Sequence, residues 1–393
     1  MAGVNDETLL VSVKEGLWTA NDPSFADKLV GKTMDLKGVI QLKFDEVIGS
    51  GGMGVVYRGK EISGISKPRA FKMSRRSSES LEDLAREAEL AGTLTLPEVV
   101  STEQLYRVGP ENNQIAIISM EDVNGPDLQK IVQTHSKMRI RIPEKLLGLI
   151  VYASSIGIQH AHDKKVIHRD IKPPNILVGE NGNIKIGDFG LSILQSDGLE
   201  QIREYAGTPG YMSPEQVRGE VPDNRSDIYS FGVTIYSSLT GENPLTAGVT
   251  SKKITEILSG IGHAQEHGFP DLKDVTIVGE ELSDIVAKSL KFGRSQRYQC
   301  AEDLGQDMLK YMYDGGGVGV TKPALQKYLD LLGVQGMPNY IRQLQTGNRT
   351  KPPKALVKKI EEAKVKVGAL VKNDYFCLEN LDGSLLPLDN YSN

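Results

Sequence analysis

The residues of this chain that could do chemistry come in a fixed order. Gly49-Ser50-Gly51-Gly52-Met53-Gly54 fits G-x-G-x-x-G. Glycines in such a loop let backbone N–H groups approach phosphate oxygens with no Cβ in the way. The pattern alone is open. It suits a dinucleotide fold, where it would join a strand to a helix, a plain hairpin turn, or a glycine-rich hairpin folded over nucleotide phosphates. Its setting between two strand-like runs, with Val56 two residues past the last glycine, favours the third. Lys72 stands eighteen residues beyond Gly54 in a short apolar run. A lysine there can act as a point charge on the α- and β-phosphates. It needs a counter-charge, because an unpaired buried charge is very costly. The helix expected over residues 80–94 offers Glu82, Glu87 and Glu89; the landmarks Leu90, Leu94 and Pro97 favour Glu87, with Glu89 as the alternative.

Three further strings follow. His168-Arg169-Asp170-Ile171-Lys172-Pro173-Pro174-Asn175 is the most specific in the chain. Asp188-Phe189-Gly190 comes after two short β-like runs around Glu180-Asn181-Gly182-Asn183, and then Gly207-Thr208-Pro209-Gly210-Tyr211-Met212-Ser213-Pro214-Glu215. A lone Asp-Phe-Gly is usually a solvated loop. Five such elements in this order and spacing are not explained by structural needs alone.

On these residues the chain resembles the eukaryotic-like (Hanks-type) Ser/Thr protein kinases, and the wording Gly49 to Gly59 is closest to bacterial members. The resemblance covers roughly residues 40–313. It implies an α+β, bilobal fold, with a small β-rich lobe, a larger mainly helical lobe, and ATP in the cleft between them. It implies that Asp170 accepts or orients the proton of the acceptor hydroxyl, and that Lys172 neutralises charge on the γ-phosphoryl group. Thr208 would shape the acceptor pocket beside them. Asn175 and Asp188 would offer hard oxygen ligands to Mg2+, or to Mn2+ in its place. The loop Gly49 to Gly54, with Ser50 and Met53 in it, would cover the phosphates. Val56, Ala70 and Leu177 would sandwich the adenine, Met120 would guard the back of the pocket, and Glu121 to Val123 would form the hinge. Asp127 would meet the ribose, or else be a solvated residue of a first helical turn. Glu215 with Arg297, and Asp227 with the His168-Arg169 turn, carry structural roles in the resemblance.

Lys172 two residues after Asp170, and Gly207-Thr208 before Pro209, resemble the Ser/Thr kinases rather than the tyrosine kinases, and small-molecule phosphotransferases of that fold generally lack the Pro214-Glu215 segment; the resemblance thus implies a Ser or Thr acceptor in a protein, with autophosphorylation expected. The rival readings are a catalytically silent scaffold, against which Lys72, Asp170, Asn175 and Asp188 all stand, and a kinase controlling a DNA-binding tail. Arg169 implies an arginine awaiting an anion. The stretch 195–206 holds Ser196 but no threonine, so Glu200 or Glu204 would supply that charge, more weakly than a phosphate. A merely solvated acidic loop is the alternative.

The elements that must position these groups read as strands around Ile40 to Phe44, Val55 to Tyr57, Ala70 to Met73 and Ile115 to Ile118. Helices are expected over 146–162, 227–239, 281–290 and 301–313. The organisation expected is an N-terminal extension over 1–39, a small lobe over 40–123, a large lobe over 124–313, a glycine-rich linker over 314–322 and a small helical module over 323–393. The segment 318–393 holds eleven Lys and Arg against seven Asp and Glu. Part of it resembles a helix-turn-helix with an overlong turn, so a docking or autoregulatory module is preferred to a nucleic-acid binder.

Composition sets the outer bounds. The chain has 393 residues, 39% hydrophobic and 25% charged, with a net charge of −5. That excludes a disordered chain or a bulk polycation. Two cysteines, Cys300 and Cys377, make neither a zinc spacing nor a disulfide scaffold. The longest apolar stretch, Leu146 to Ile158, is shorter than the roughly 20 residues a bilayer needs, and no targeting segment is visible. A cytoplasmic location without a membrane span is expected.

Overall fold

In this computed structural model the structure describes residues 11–13, 29–36, 40–51, 54–63, 66–74, 78–108, 115–138, 141–180, 182–195, 207–247, 253–276 and 278–313. Gly52, Met53, the stretch 196–206 with its two glutamates, and the whole segment 314–393 lie outside them. The chain divides into two units. One comprises the chain up to Val123 together with Gly187–Ile193, and the other starts at Asn124. The strip 187–193, which the sequence reading ran in with the large lobe, thus groups with the first unit.

The first unit is an antiparallel sheet of seven strands. These are β1 Val11–Val13, β2 Thr33–Leu36, β3 Ile40–Gly51, β4 Gly54–Glu61, β5 Lys67–Ser74, β6 Thr102–Val108 and β7 Ile115–Glu121, in the order β1-β2-β3-β4-β5-β7-β6. Alternation drives it. Val55 and Tyr57 on β4, and Phe71 and Met73 on β5, face one side and are fully buried. Phe44 meets Tyr57 and Phe71 edge-on, with ring centroids 5.2 and 5.4 Å apart. Leu29, Met34 and Leu36 join the same core. Residues 33–36 are therefore a strand of the sheet, where the sequence shows only a mixed segment without a period.

One helix, α1 (Ser78–Gly92), lays Leu84 and Ala88 against Ala116 of β7 and its neighbour Ile118, with Leu81 and Leu105 at the rim. This is the face that period 3.6 selects.

The second unit is mainly helical: α2 Leu128–Met138, α3 Glu144–Asp163, α4 Pro214–Val217, α5 Asn224–Thr240, α6 Ile254–His267, α7 Leu272–Val275, α8 Glu280–Ser289 and α9 Ala301–Tyr313. The short strand β8 (Val166–Ile167) and the hairpin β9 (Ile176–Val178) with β10 (Ile184–Ile186) complete it. α5 is buried on every side from Ser226 to Leu239. Several of its serine hydroxyls turn back onto its own carbonyls, as Ser230 does onto Ser226 and Ser238 onto Thr234. A capping box of Asp223 and Ser226 starts α5, and Gly241 ends it at φ 78°. Among the described residues no helix is long and apolar enough to cross a membrane.

Candidate active site

In the first unit the β3–β4 hairpin pairs Gly49 with Val56, Ser50 with Val55 and Gly51 with Gly54. The glycines do not all serve one purpose. A Cβ at Gly49 would meet the Val56 side chain at an ordinary 3.6 Å. A Cβ at Gly54 would lie 2.1 Å from the Met73 carbonyl oxygen, so Gly54 is required by the approach of β5. Phosphate approach, the reason read from the sequence, is not needed to account for it.

Lys72 pairs with Val56 across β4 and β5, and its side chain is 8% exposed. Its ammonium has three donors, and three short contacts use them. Glu87 Oε1 and Oε2 lie 2.8 and 2.6 Å from Nζ, and Asp188 Oδ1 lies at 2.6 Å. Glu82 and Glu89 are exposed on the same helix. Burial opposes the charge on Lys72, but the two carboxylates outweigh it and shift the ammonium upward. Burial pushes the Glu87 carboxyl up to about 7 against the pull of Lys72. The proton therefore stays on the lysine. Asp188 sits at φ 63° with its side chain 42% exposed. A non-glycine residue in that region is strained, and such strain gathers at functional sites.

Ala70 pairs with Arg58 on one side and Met120 on the other. Met120 and Glu121 end β7, half-buried, and Val123 is the last residue of the unit before Asn124.

In the second unit the His168–Asp170 turn is built from below by α5. Asp227, fully buried, accepts from the amides of His168 (2.9 Å) and Arg169 (2.8 Å), and its Oδ2 is 2.7 Å from His162 Nε2. These bonds hold Arg169 at φ 68°. The turn aims Asp170. Its Oδ2 is 2.6 Å from Lys172 Nζ, and its Oδ1 accepts from the Thr208 amide at 2.9 Å. Lys172 Nζ donates to Thr208 Oγ1 at 2.6 Å, closing a triangle. Asn175 donates Nδ2 to the Asp170 carbonyl at 2.8 Å. Gln216 donates to the Arg169 carbonyl at 3.0 Å, so α4 is bonded to the same turn.

Asp127 caps α2, accepting from the Lys130 amide at 2.7 Å, and makes a bridge with Leu177, which is half-buried on β9. That places Asp127 at the start of α2. Glu215 and Arg297 form a fully buried ion pair at 2.8 Å.

Sequence reasoning missed two residues, Asn124 and Gly125, and the partner of a third, Asp122. Asp122 is nearly buried and bonded to Arg58. Gly125 has φ +159°, and a Cβ there would meet the Val178 carbonyl oxygen at 2.0 Å. Asn124 reaches Glu180 at 2.6 Å. Each has its partner far along the chain, where no motif looks.

The donor chemistry suits a divalent metal held with phosphates. Mg2+ takes one or two protein oxygens and fills its shell with phosphate and water. Taken singly, the first unit offers such an oxygen in the Asp188 carboxylate, which is open to solvent, and the second offers one in the Asn175 side-chain amide.

Residues 42–309 match the protein kinase domain family. The serine/threonine-protein kinase PknB of Mycolicibacterium smegmatis is 30% identical over 272 residues, which is 67% of this chain and 42% of that protein. The serine/threonine-protein kinase PrkC of Bacillus subtilis is 31% identical over 72% of this chain and 42% of its own. The probable serine/threonine-protein kinase PknB of Bifidobacterium longum is 30% identical over 77% and 43%. The matches thus span about two fifths of the length of these relatives. Over two thirds of its length the sheet-rich unit, the helical unit and the family's motifs coincide, and the chain belongs to the protein kinase family, whose members use ATP and a divalent metal.

Proposed function

We propose that this chain transfers the γ-phosphoryl group of ATP to Ser or Thr hydroxyls of proteins, its own among them, with Mg2+ as the usual metal and Mn2+ as a substitute. The observation that carries the reading is the Asp170–Lys172–Thr208 triangle, with bonds of 2.6, 2.6 and 2.9 Å. Phosphoryl transfer needs little covalent help, so positioning and charge stabilisation make up most of its catalysis.

Asp170 orients the acceptor hydroxyl and takes its proton as the new O–P bond forms and the bond from the γ-phosphorus to the bridging oxygen breaks, releasing ADP. Lys172 keeps that carboxylate in place and offers positive charge to the transferring group. Thr208, bonded to both, fixes the acceptor side. A lysine and a threonine in these two positions support a Ser or Thr acceptor over Tyr. Lys72, held by Glu87, is the charge for the α- and β-phosphates. Asp188 and Asn175 would hold the metal, which when bound neutralises phosphate charge. The backbone of Glu121 to Val123, with Val56, Ala70 and Met120, would take the adenine. A cytoplasmic location goes with this reading, since ATP and magnesium are supplied there.

Radiolabelled ATP with magnesium tests it, with and without a generic protein substrate, on wild type and on Asp170→Asn. Label on the wild type and none on the variant is expected. No label on either, with ADP still bound, would sink the proposal and favour a silent scaffold.

A further inference from the structure

Arg58 is an odd residue for its place. On β4 it follows Val56 by two, so the two share a face of the sheet. It pairs with Ala70, as Val56 pairs with Lys72. The face that carries Val56, Ala70 and Lys72 therefore carries a guanidinium as well. That guanidinium is committed. Its Nε lies 3.0 Å from both carboxylate oxygens of Asp122, and its Nη1 lies 2.5 Å from Glu46 Oε1. Register explains how it reaches. Arg58 pairs with Ala70, Ala70 pairs with Met120, and Asp122 is two residues past Met120.

The two partners are not equal. The Glu46 side chain is 57% exposed, whereas that of Asp122 is 7% exposed. An exposed ion pair contributes little. A nearly buried carboxylate needs its counter-charge. The contact that matters is therefore between β4, the strand leaving the glycine-rich turn, and the short segment 121–123 at the end of the first unit.

We infer that Arg58 is a positioning residue for nucleotide binding: through Asp122 it fixes the backbone of residues 121–123 against β4, and so sets the affinity for ATP without taking part in phosphoryl transfer. This rests on the kinase reading above. The side-chain bonds of Arg58 go to Asp122 and Glu46 and not to the Lys72 cluster, so its loss removes binding energy that substrate and transition state share. Such a loss raises KM and leaves kcat. Arginine suits the task because its planar head is always charged and holds its donors in fixed directions, so that Nε meets Asp122 while Nη1 meets Glu46.

The test uses the full chain. Arg58→Leu keeps much of the aliphatic stem and removes the charge, and Asp122→Asn removes the partner while keeping its shape. Each variant should weaken ADP binding, read with a fluorescent ADP, and raise KM for ATP on the order of tenfold, the worth of one charge-assisted hydrogen bond. kcat should stay within about twofold. The double variant should be no worse than either single one, since both remove the same contact. Arg58→Lys, the conservative change, should recover part of the affinity.

Wild-type ADP affinity in Arg58→Leu overturns the inference, as does a fall in kcat at unchanged KM. Fully additive losses in the double variant overturn it too. A wild type that binds no ADP overturns this inference together with the kinase reading. A wild type that binds, beside variants that bind equally well, overturns this inference alone.

Discussion

Removing Arg297 should be among the most damaging single changes in the second unit. The side chains of Arg297 and Glu215 are both fully buried. All five guanidinium donors are used. Nε donates to the Lys291 carbonyl (2.7 Å), and Nη1 to Glu215 Oε1 (2.8 Å) and the Arg225 carbonyl (3.0 Å). Nη2 donates to Glu215 Oε2 (3.0 Å) and the Phe292 carbonyl (2.9 Å). Glu215 also accepts from Ser226 Oγ at 2.6 Å. Burial works to raise the Glu215 carboxyl, yet the arginine holds it below its ordinary value, so it stays charged.

Arg297→Met therefore strands a carboxylate and two loop carbonyls at once. Breaking a buried pair from one side costs about 3–5 kcal/mol. Replacing both partners, as in Glu215→Leu with Arg297→Met, removes the stranded charge but leaves the Lys291 and Phe292 carbonyls unpaired, at about 1–3 kcal/mol each. The double variant should recover part of the loss and remain at least about 2 kcal/mol below wild type. Urea unfolding followed by helical circular dichroism measures this, provided the slope is unchanged between variants. A loss under about 1 kcal/mol for Arg297→Met, or a double variant as stable as wild type, would refute the reasoning. α4 follows directly on the Thr208–Met212 stretch, so activity should fall with stability. That fall would not make Glu215 catalytic.

Gly125→Ala should cost about 1–3 kcal/mol in strain, because its Cβ would fall 2.0 Å from the Val178 carbonyl oxygen. Faster hydrogen exchange at the Val178 amide, which donates to Pro126 at 2.8 Å, would report the damage, and unchanged protection would contradict it. Leu36→Ala, in the segment ahead of β3, should lower stability by about 2–5 kcal/mol, since Leu36 is fully buried in the sheet core; a melting temperature equal to wild type would show that β2 does not pack as described. The Glu87 carboxyl is raised from 4.5 to about 7, so its contribution to stability is present below 4.5 and is lost as pH rises through about 7. Activity runs the other way, because only ionised Glu87 holds Lys72: kcat/KM for ATP should climb with pH across that window, and a flat profile between about pH 6 and 8 would discount the pair.

What was legible in the sequence follows from what the chemistry demands locally. A hard oxygen beside a phosphate, a base two residues from a lysine and a glycine-rich turn each restrict residue type over short spans, so strings such as His168 to Asn175 stand out. Periodicity likewise marks α3, α8 and α9, whose apolar faces repeat regularly. Residues 33–36 were not legible, because four residues are too few to show a period. β6 was missed for another reason: only its far end, Tyr106 and Val108, is buried, so its exposed first half reads as loop. α5 has little amphipathic signal because it is buried all round, and its capping box, which begins at Asp223, four residues before the span 227–239 expected from sequence, marks its start better than its apolar residues do.

The pairs that sequence could not give are those made by register. Arg58 and Asp122 are 64 residues apart and belong to no shared string. They meet because β4 lies beside β5, β5 lies beside β7, and Ala70 stands in line with both Arg58 and Met120. A one-residue slip would turn Arg58 toward the core that holds Tyr57. The alternation that buries Tyr57 therefore also aims Arg58 at Asp122. The hydrophobic pattern that folds the sheet sets the electrostatics of the segment 121–123, although neither charged residue carries any trace of the other.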